Sequence, residues 1–166
     1  LYRIFNDTEF KTGGRFYGGW WQNIPKRYRR LITIDGKRTV EADYSTLHPA
    51  ILYAQLGLRL EGDAYTDILP NLPRKVAKQA FNAMVNARQP TTVQPRGMRL
   101  SDYGCRWTDV VTAMFEKHQP ISEAFFSGTG GYLQRRDSEL AERVILSFLE
   151  YAKPVAVLPM HDSFIM

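Results

Sequence analysis

Two aspartates near opposite ends of the chain have the surroundings that best suit metal-assisted chemistry. Asp43 lies near the end of residues 38–44, where polar and apolar side chains alternate as they do in a half-buried strand. Asp162 comes shortly after a second strand-like stretch, residues 155–158. Carboxylates are hard oxygen ligands of the kind that Mg²⁺ prefers. We therefore predict that the fold brings Asp43 and Asp162 together as a metal-binding pair for phosphoryl-type chemistry.

A second set of candidate residues is basic and lies on a predicted helix over residues 73–87. Arg74, Lys78 and Asn82 share one face of this helix, because each is four residues from the next. Two like charges at that spacing cost an isolated helix about 0.2–0.5 kcal/mol, and an anionic ligand would reverse the penalty. The alternative is an ordinary solvated basic face.

Two further stretches are candidates for contact with nucleic acid. Residues 12–21 contain four glycines and four aromatic residues, which predicts a loop. Its aromatic rings either stack on bases or pin the loop to the core. The basic run at residues 26–30 comes shortly before the strand that carries Asp43, so it either contacts phosphate or forms a solvated face.

The composition is that of a folded and basic protein. Hydrophobic residues make up 44% and charged residues 23%, which excludes a disordered chain. The 22 Lys and Arg against 17 Asp and Glu give a net charge of +5, which favours an acidic partner such as nucleic acid. The single cysteine, Cys105, excludes an internal disulfide and a Cys-rich zinc site, and fits a reducing compartment.

Two further expectations concern the location of the protein and the extent of the chain. No apolar run is long enough to span a membrane and no signal peptide opens the chain, so we expect a cytoplasmic, intracellular protein with no membrane partner. The chain stops inside a strand-like stretch, which indicates a piece of a longer protein.

The elements that would position these residues follow from hydrophobic periodicity and from the Gly and Pro residues. A β-hairpin is predicted, with strands at residues 31–34 and 38–44 and the Asp35-Gly36 pair in the turn between them. Residues 88–104 predict a mobile loop. Helices are predicted over residues 47–56, 62–68, 73–87, 107–117, 121–126 and 132–151. The last helix is expected to end at Pro154 and to bury a stripe formed by Leu140, Ala141, Val144, Ile145 and Phe148.

Six short motifs, taken in order, resemble those of the family A DNA polymerases. They are Thr-Gly-Gly-Arg at 12–15, Gln-Asn-Ile-Pro at 22–25, Asp-Tyr-Ser at 43–45, Arg-x-x-x-Lys at 74–78, Leu-Gln at 133–134 and His-Asp at 161–162. Each motif alone is weak, but chance would have to reproduce their order as well as their letters. The sequence at 161–164, His-Asp-Ser-Phe, is closer to the related single-subunit bacteriophage RNA polymerases.

The resemblance implies an α+β fold in which a polymerase palm, an antiparallel β-sheet packed on helices, carries a small helical fingers insertion. The palm would comprise residues 1–57 and 128–166, and the reduced fingers residues 58–127. The implied activity is template-directed addition of nucleotides to a primer 3′ end, of DNA more than of RNA, by two-metal-ion phosphoryl transfer. The implied partners are a primer–template and nucleoside triphosphates, with further domains or proteins supplying the missing thumb.

The resemblance also implies roles for individual residues. Asp43 and Asp162 would be catalytic and would hold two Mg²⁺ ions, for which Mn²⁺ is a chemical substitute. Lys78 would also be catalytic, and the incoming nucleotide would be bound by Arg74, Lys78, Asn82 and His48. Primer–template contacts would come from Arg15, Asn23, Gln134 and His161.

Other interpretations stay open beside this one. The family carries an aromatic residue and then Tyr-Gly along its nucleotide-binding helix, where this chain has Asn82 and then Asn86-Ala87. A degenerate palm that binds nucleic acid without catalysis, an RNA polymerase-like enzyme and a metal-dependent nuclease are therefore alternatives. From residue type alone, His48 and His118 are interpreted as structural.

Overall fold

The structure, a computed structural model, describes residues 1–151 and 155–166 and divides into two compact units. Unit 1 consists of Leu1–Leu47 with Gly131–Met166, and unit 2 of His48–Gly130. The predicted division into a palm, residues 1–57 and 128–166, and fingers, residues 58–127, stays a prediction. Helices and small antiparallel sheets make the fold α+β, as predicted. Pro154, predicted to end the last helix, lies outside the described residues.

Strands with two short helices among them come first, longer helices follow, and two further strands come last. The strands are β1 (Tyr2–Phe5), β2 (Gly13–Tyr17), β3 (Thr33–Ile34), β4 (Lys37–Arg38), β5 (Glu41–Asp43), β6 (Leu158–Met160) and β7 (Ser163–Ile165). The α-helices are α1 (Lys26–Arg29), α2 (Leu47–Gln55), α3 (Arg74–Asn86), α4 (Trp107–Lys117) and α5 (Gly130–Leu149). Short 3₁₀ helices cover Trp20–Asn23, Leu100–Tyr103 and Gln119–Ala124.

The central sheet of unit 1 has the strand order β5-β7-β6, and all its pairs are antiparallel. One face of this sheet contributes to an apolar cluster formed by Ile32, Met160, Ile165, Trp21, Ile24 and Leu158. On the other face Ala42 and Phe164 line a cavity of about 310 Å³ together with Val144 and Phe148 of α5. The sheet therefore has apolar surroundings on both faces, which explains how such short strands are held.

The strand predicted over residues 38–44 is divided between two sheets. Its first part, β4, pairs with β3 across Asp35 and Gly36, whose φ angles of 50° and 73° suit the predicted hairpin turn. Its second part, β5, pairs instead with β7, and Val40 extends this pairing by exchanging two backbone hydrogen bonds with Met166. The second predicted strand, 155–158, starts later than expected, because residues 155–157 form no strand.

The prediction of a loop over residues 12–21 is wrong for most of its length. Residues 13–17 form β2, which pairs with β1, and the register shifts near Phe5. Gly14 adopts a φ of 86°, and a Cβ there would lie 2.7 Å from the Phe5 ring. The glycines that suggested a loop instead permit a close approach between a bulged strand and its neighbours.

Helices α2, α3 and α4 lie within one residue of their predicted bounds. At the end of α2, Gly57 adopts a φ of 69°. Its amide donates to the Ala54 carbonyl, and the Leu58 amide donates to the Tyr53 carbonyl. This pair of hydrogen bonds is the Schellman motif, which satisfies carbonyl groups at a helix end. Helix α3 buries its predicted stripe completely, together with its neighbours: Ala77, Ala80, Phe81, Met84 and Val85.

Two predicted helices of unit 2 are replaced by tighter structures. Residues 62–68 form turns, because the Asp63 carboxylate accepts the Tyr65 amide and Asp67 adopts a φ of 54°. Residues 121–126 contribute to the 3₁₀ helix Gln119–Ala124, with Pro120 in its first turn. Local side-chain bonds and proline thus compete successfully with α-helix formation. Of the loop predicted over residues 88–104, residues 88–99 are irregular as expected, whereas Leu100–Tyr103 form a 3₁₀ helix.

Helix α5 buries one residue of the predicted stripe, Ala141, but not the other four. Leu140 is exposed, and Val144, Ile145 and Phe148 are only half-buried. The other buried side chains of the helix are those of Leu133, Asp137 and Ser138. The inward face of the helix therefore lies further towards its N-terminus and contains a carboxylate and a hydroxyl.

Candidate functional site

The sheet brings the two predicted metal ligands, Asp43 and Asp162, to the same end of adjacent strands. Asp43, the last residue of β5, lies opposite Ser163, the first residue of β7. One step further, the Tyr44 amide donates to the carbonyl oxygen of Asp162 at 3.2 Å. Asp43 is exposed and Asp162 is half-buried, so neither lies beneath the apolar cores of unit 1. This part of the prediction, proximity despite a large separation in sequence, agrees with the structure.

Asp162 is presented by the two-residue turn between β6 and β7. The first residue of the turn, His161, adopts a φ of 59°, which is uncommon for a residue with a side chain. The His161 ring packs edge-on against Tyr17, with centroids 5.6 Å apart. His161 is exposed as a residue, but partial loss of hydration of its ring and the Arg15 guanidinium lower the pKa of His161, against the opposing effects of the Asp162 and Asp137 carboxylates. The imidazole is therefore biased towards its neutral form beside the two aspartates.

Glu41 lies on the same strand as Asp43, and its carboxylate has two partners. It is paired with Arg29 at 3.1 Å and accepts the Ser163 hydroxyl at 3.0 Å. These contacts join α1, β5 and β7. Glu41 therefore holds β5, which ends at Asp43, against β7, which follows Asp162.

The two aspartates form a donor set that is small but chemically suitable for magnesium. Among the described residues, no three His, Cys, Asp or Glu side chains are grouped as they would be around a metal ion. Mg²⁺ is often held by one or two carboxylates, with water and substrate phosphates completing its shell. Two aspartates at an exposed strand end, Asp43 and Asp162, fit that requirement in number and in ligand type.

Arg15, predicted to contact nucleic acid, forms an internal ion pair. Its Nη2 and Nε lie 2.5 Å and 3.1 Å from Oδ2 of Asp137, a residue with 1% of its surface exposed. The sequence analysis missed Asp137. The sequence did contain an indication of its burial. Asp137 is four residues from both Leu133 and Ala141, which places its carboxylate on the inward face of an amphipathic helix. This pair holds β2 against α5.

Arg3 is a second residue that the sequence analysis missed. It donates to the Gly14 carbonyl at 2.7 Å and to the Ser138 hydroxyl at 2.8 Å, and it is paired with Glu142 at 3.1 Å. Arg3 and Arg15 thus fasten both strands of the β1–β2 sheet to the same helix. A lone Arg at the start of an irregular sequence carried no signal for this role.

Asn23 and Gln134, also predicted to contact nucleic acid, lie on the 3₁₀ helix Trp20–Asn23 and on α5. Asn23 is exposed at the end of the 3₁₀ helix Trp20–Asn23, and Gln134 is half-buried on α5. The side chains of Trp21 and Gln22 both donate to the Pro159 carbonyl, at 3.0 Å and 3.1 Å. This segment is thereby anchored to β6, close to the turn that carries Asp162.

In unit 2, the predicted nucleotide-binding residues lie along α3. Arg74, its first residue, donates to Asp63 at 2.8 Å and lies over the Tyr65 ring at 5.3 Å. Burial raises the pKa of Asp63, but the bonds from the Tyr65 amide and Arg74 outweigh burial and hold this pKa below its ordinary value. Lys78 and Asn82 are half-buried further along the helix. The roles of Arg74, Lys78 and Asn82 stay predictions.

The two histidines of unit 2 have different surroundings. His48 is half-buried in the first turn of α2, and its predicted contact with nucleotide stays a prediction. His118 is fully buried, with Nε2 2.9 Å from the Ala64 carbonyl and Nδ1 3.2 Å from the Tyr53 hydroxyl. The tautomer with a proton on Nε2 satisfies both contacts. His118 is therefore part of the core of unit 2.

Two general observations complete the description. None of the helices formed by the described residues combines the length and apolar character needed to cross a membrane. Comparison of the chain with models of known protein families, with curated proteins and with solved structures found no match. The function of this chain is therefore inferred from its own residues.

Proposed function

We propose that the chain is a template-directed nucleotidyltransferase with Asp43 and Asp162 as its metal-binding carboxylates. The observation that carries the proposal is the pairing of β5 with β7, which places these two residues together at one end of a sheet. The order of the polymerase-like motifs along the chain supports the same activity. A polymerase palm is the corresponding interpretation of the α+β fold of unit 1.

The metal ions belong to this proposal and have a defined chemical task. Asp43 and Asp162 would supply the protein oxygens for two Mg²⁺ ions. When bound, such ions stabilise the attacking and leaving oxygens of an in-line displacement at phosphorus. Asp43 is exposed and Asp162 is half-buried, so neither residue is enclosed in the apolar core of unit 1.

The surrounding residues of unit 1 have positioning roles in the proposal. Glu41 joins Arg29 to Ser163 and so fixes the register of β5 against β7. The Tyr44 amide holds the backbone of Asp162. These bonds orient the two aspartates before substrate arrives, which reduces the reorganisation needed for catalysis.

Basic residues supply the phosphate contacts in the proposal. Arg offers a planar pair of donors and Lys a point charge, and both types are common partners of phosphate. The resemblance implies this role for Arg74 and Lys78, which lie on α3 in unit 2. Arg74 would exchange its bond with Asp63 for a bond to phosphate, since its side chain retains 41% exposure.

The proposal is tested by primer extension with Mg²⁺, comparing deoxyribonucleotides with ribonucleotides. Asp43→Asn and Asp162→Asn are each expected to lower extension by at least about a hundredfold, because metal ions contribute several kcal/mol of charge stabilisation. Asp35→Asn, the same change at the exposed hairpin turn, is the matched control and is expected to leave extension unchanged.

The possible results separate this proposal from its alternatives. Extension that persists in both Asp43→Asn and Asp162→Asn would contradict the metal assignment. Nucleic-acid binding without incorporation of any nucleotide would identify a non-catalytic binding module. Loss of a labelled substrate in the absence of nucleotides would identify a nuclease.

A further inference from the structure

Three ring-bearing side chains of unit 1 form a row that leads away from the turn carrying Asp162. Tyr2 and Tyr17 are directly opposite each other on β1 and β2, with ring centroids 6.4 Å apart and planes tilted by 30°. Tyr17 in turn contacts His161, at 5.6 Å between centroids. We call these three residues the ring row. None of its contacts is used by the proposed metal chemistry.

The outer end of the ring row is exposed but held in place. Tyr2 has 59% of its surface exposed, and His161 is also exposed. The backbone of Gly18 lies against the Tyr2 ring, since a Cβ at Gly18 would come within 2.6 Å of it. Tyr17 supports the same ring from across the strand pair. An exposed ring fixed in this way loses little freedom when a ligand binds to it.

The charge of the whole chain favours an anionic polymer as the ligand of the ring row. The chain carries a net charge of +5. Arg15 and Arg29 of the same unit are paired with Asp137 and Glu41, so stacking on the rings, and not a phosphate contact from these two residues, carries the binding. Exposed aromatic rings on a basic protein are a combination by which proteins hold unpaired bases.

We propose that the ring row binds two or three consecutive unpaired nucleotides of single-stranded nucleic acid by stacking on Tyr2, Tyr17 and His161. Stacking tolerates any base, because every base has a π-face. The site requires no metal ion and no nucleoside triphosphate. It therefore goes beyond the proposed nucleotide transfer and can be present whether or not the chain is an enzyme.

The test measures binding of a fluorescent eight-nucleotide oligothymidylate by anisotropy, in EDTA and at two salt concentrations. Tyr2→Leu is expected to weaken binding about tenfold, whereas Tyr2→Phe stays within about twofold of the wild type. The dependence on salt is expected to be the same in both variants, because stacking neutralises no phosphate. Tyr151→Leu is the matched control, since Tyr151 is equally exposed at 60% and lies outside the ring row.

Several results would overturn the proposal. One is a wild-type protein that binds the oligonucleotide no better than Tyr2→Leu does. Another is equal loss in Tyr2→Leu and Tyr151→Leu, or equal loss in Tyr2→Phe and Tyr2→Leu. A third is concentration-dependent self-association, measured by sedimentation, that Tyr2→Leu abolishes while oligonucleotide binding is unaffected; the ring row would then be a protein interface.

The same assay on Asp162→Asn separates this site from the proposed activity. Binding that survives in Asp162→Asn while extension is lost supports both proposals. Binding that depends on Tyr2 in a protein without any extension activity supports the ring row alone. Extension that proceeds normally in Tyr2→Leu together with unchanged binding overturns the ring row and leaves the proposed transfer intact.

Discussion

At the scale of single residues, the most demanding requirement in unit 1 is a partner for the Asp137 carboxylate. Its side chain is completely buried, whereas that of its partner Arg15 keeps 22% exposure. A buried charge loses its hydration, and only ion pairing and hydrogen bonding offset that cost. Arg15 is therefore a structural residue of the β1–β2 sheet, whatever contact it makes with nucleic acid.

We predict that Asp137→Ala lowers the free energy of unfolding by about 3 kcal/mol, because it leaves the Arg15 guanidinium without its buried partner. Glu142→Ala breaks a solvent-exposed ion pair with Arg3 on the same helix and is expected to cost less than about 1 kcal/mol. Urea unfolding followed by circular dichroism measures both values. Equal costs for the two variants would show that burial does not decide the strength of these pairs.

At the scale of elements, β2 packs so closely on β1 and α5 that one position excludes a side chain. A Cβ on Gly14 would lie 2.7 Å from the Phe5 ring and 3.1 Å from both Arg3 and the Ser138 hydroxyl. Gly14 also has a φ of 86°, where residues with a Cβ are strained. Gly36 has a similar φ of 73° in the β3–β4 turn, but no atom lies within 4 Å of its Cβ position.

We predict that Gly14→Ala destabilises the protein by about 3 kcal/mol, the sum of backbone strain and of crowding in a packed interface. Gly36→Ala carries the backbone strain alone and is expected to cost about 1 kcal/mol. Thermal and urea unfolding of the two variants give the comparison. If Gly36→Ala is as costly as Gly14→Ala, the close packing of β2 on α5 contributes nothing measurable.

At the scale of the whole molecule, each of the two units has its own core, and that of unit 2 is assembled around His118. Its ring bonds to Tyr53 of α2 and to the Ala64 carbonyl, and it packs against Phe81 of α3 and against Phe125. Burial lowers the pKa of His118, and the nearby Lys117 acts in the same direction, whereas the bond to Ala64 opposes them. The folded core therefore holds a neutral imidazole.

We predict that unit 2 loses stability as the pH falls below about 6.5, the ordinary pKa of histidine. Below that value the unfolded chain binds a proton at His118 that the folded core excludes, so protonation favours unfolding; above it the contribution is complete. Hydrogen exchange measured from pH 7.5 to 5 is expected to show faster opening of α2 and α3. In His118→Gln this dependence should become flatter, and an unchanged dependence would rule out His118 as its source.

The helices and one hairpin of the fold could be predicted because their signals are local. Helix α3 follows from the spacing of Ala77, Ala80 and Met84, and α2 ends where Gly57 permits a left-handed residue. The Asp35-Gly36 turn places both residues at positive φ, as that dipeptide favours. Residues 62–68 and 121–126 were exceptions. In the first, the Asp63 side chain bonds to the backbone and competes with the helix. In the second, a 3₁₀ helix with Pro120 in its first turn replaces the predicted α-helix.

Part of the candidate site could be predicted for a different reason. The meeting of Asp43 and Asp162 was expected from the order of the motifs, since no local pattern pairs residues so far apart in sequence. The surroundings of Arg15 and Arg74 could not be predicted. Their partners, Asp137 and Asp63, become visible only when the segments that carry them are in contact.

By itself, the sequence determined the positions of α2 to α5, the β3–β4 turn and the identity of two candidate carboxylates. Periodicity, proline and glycine act over a few residues and therefore leave a trace in the letters. Only the tertiary structure decided that residues 38–44 divide between two sheets, that β2 is a strand and that Arg15 is an internal partner of Asp137. Strand pairing and charge burial depend on which distant segments meet, and that is a property of the folded chain as a whole.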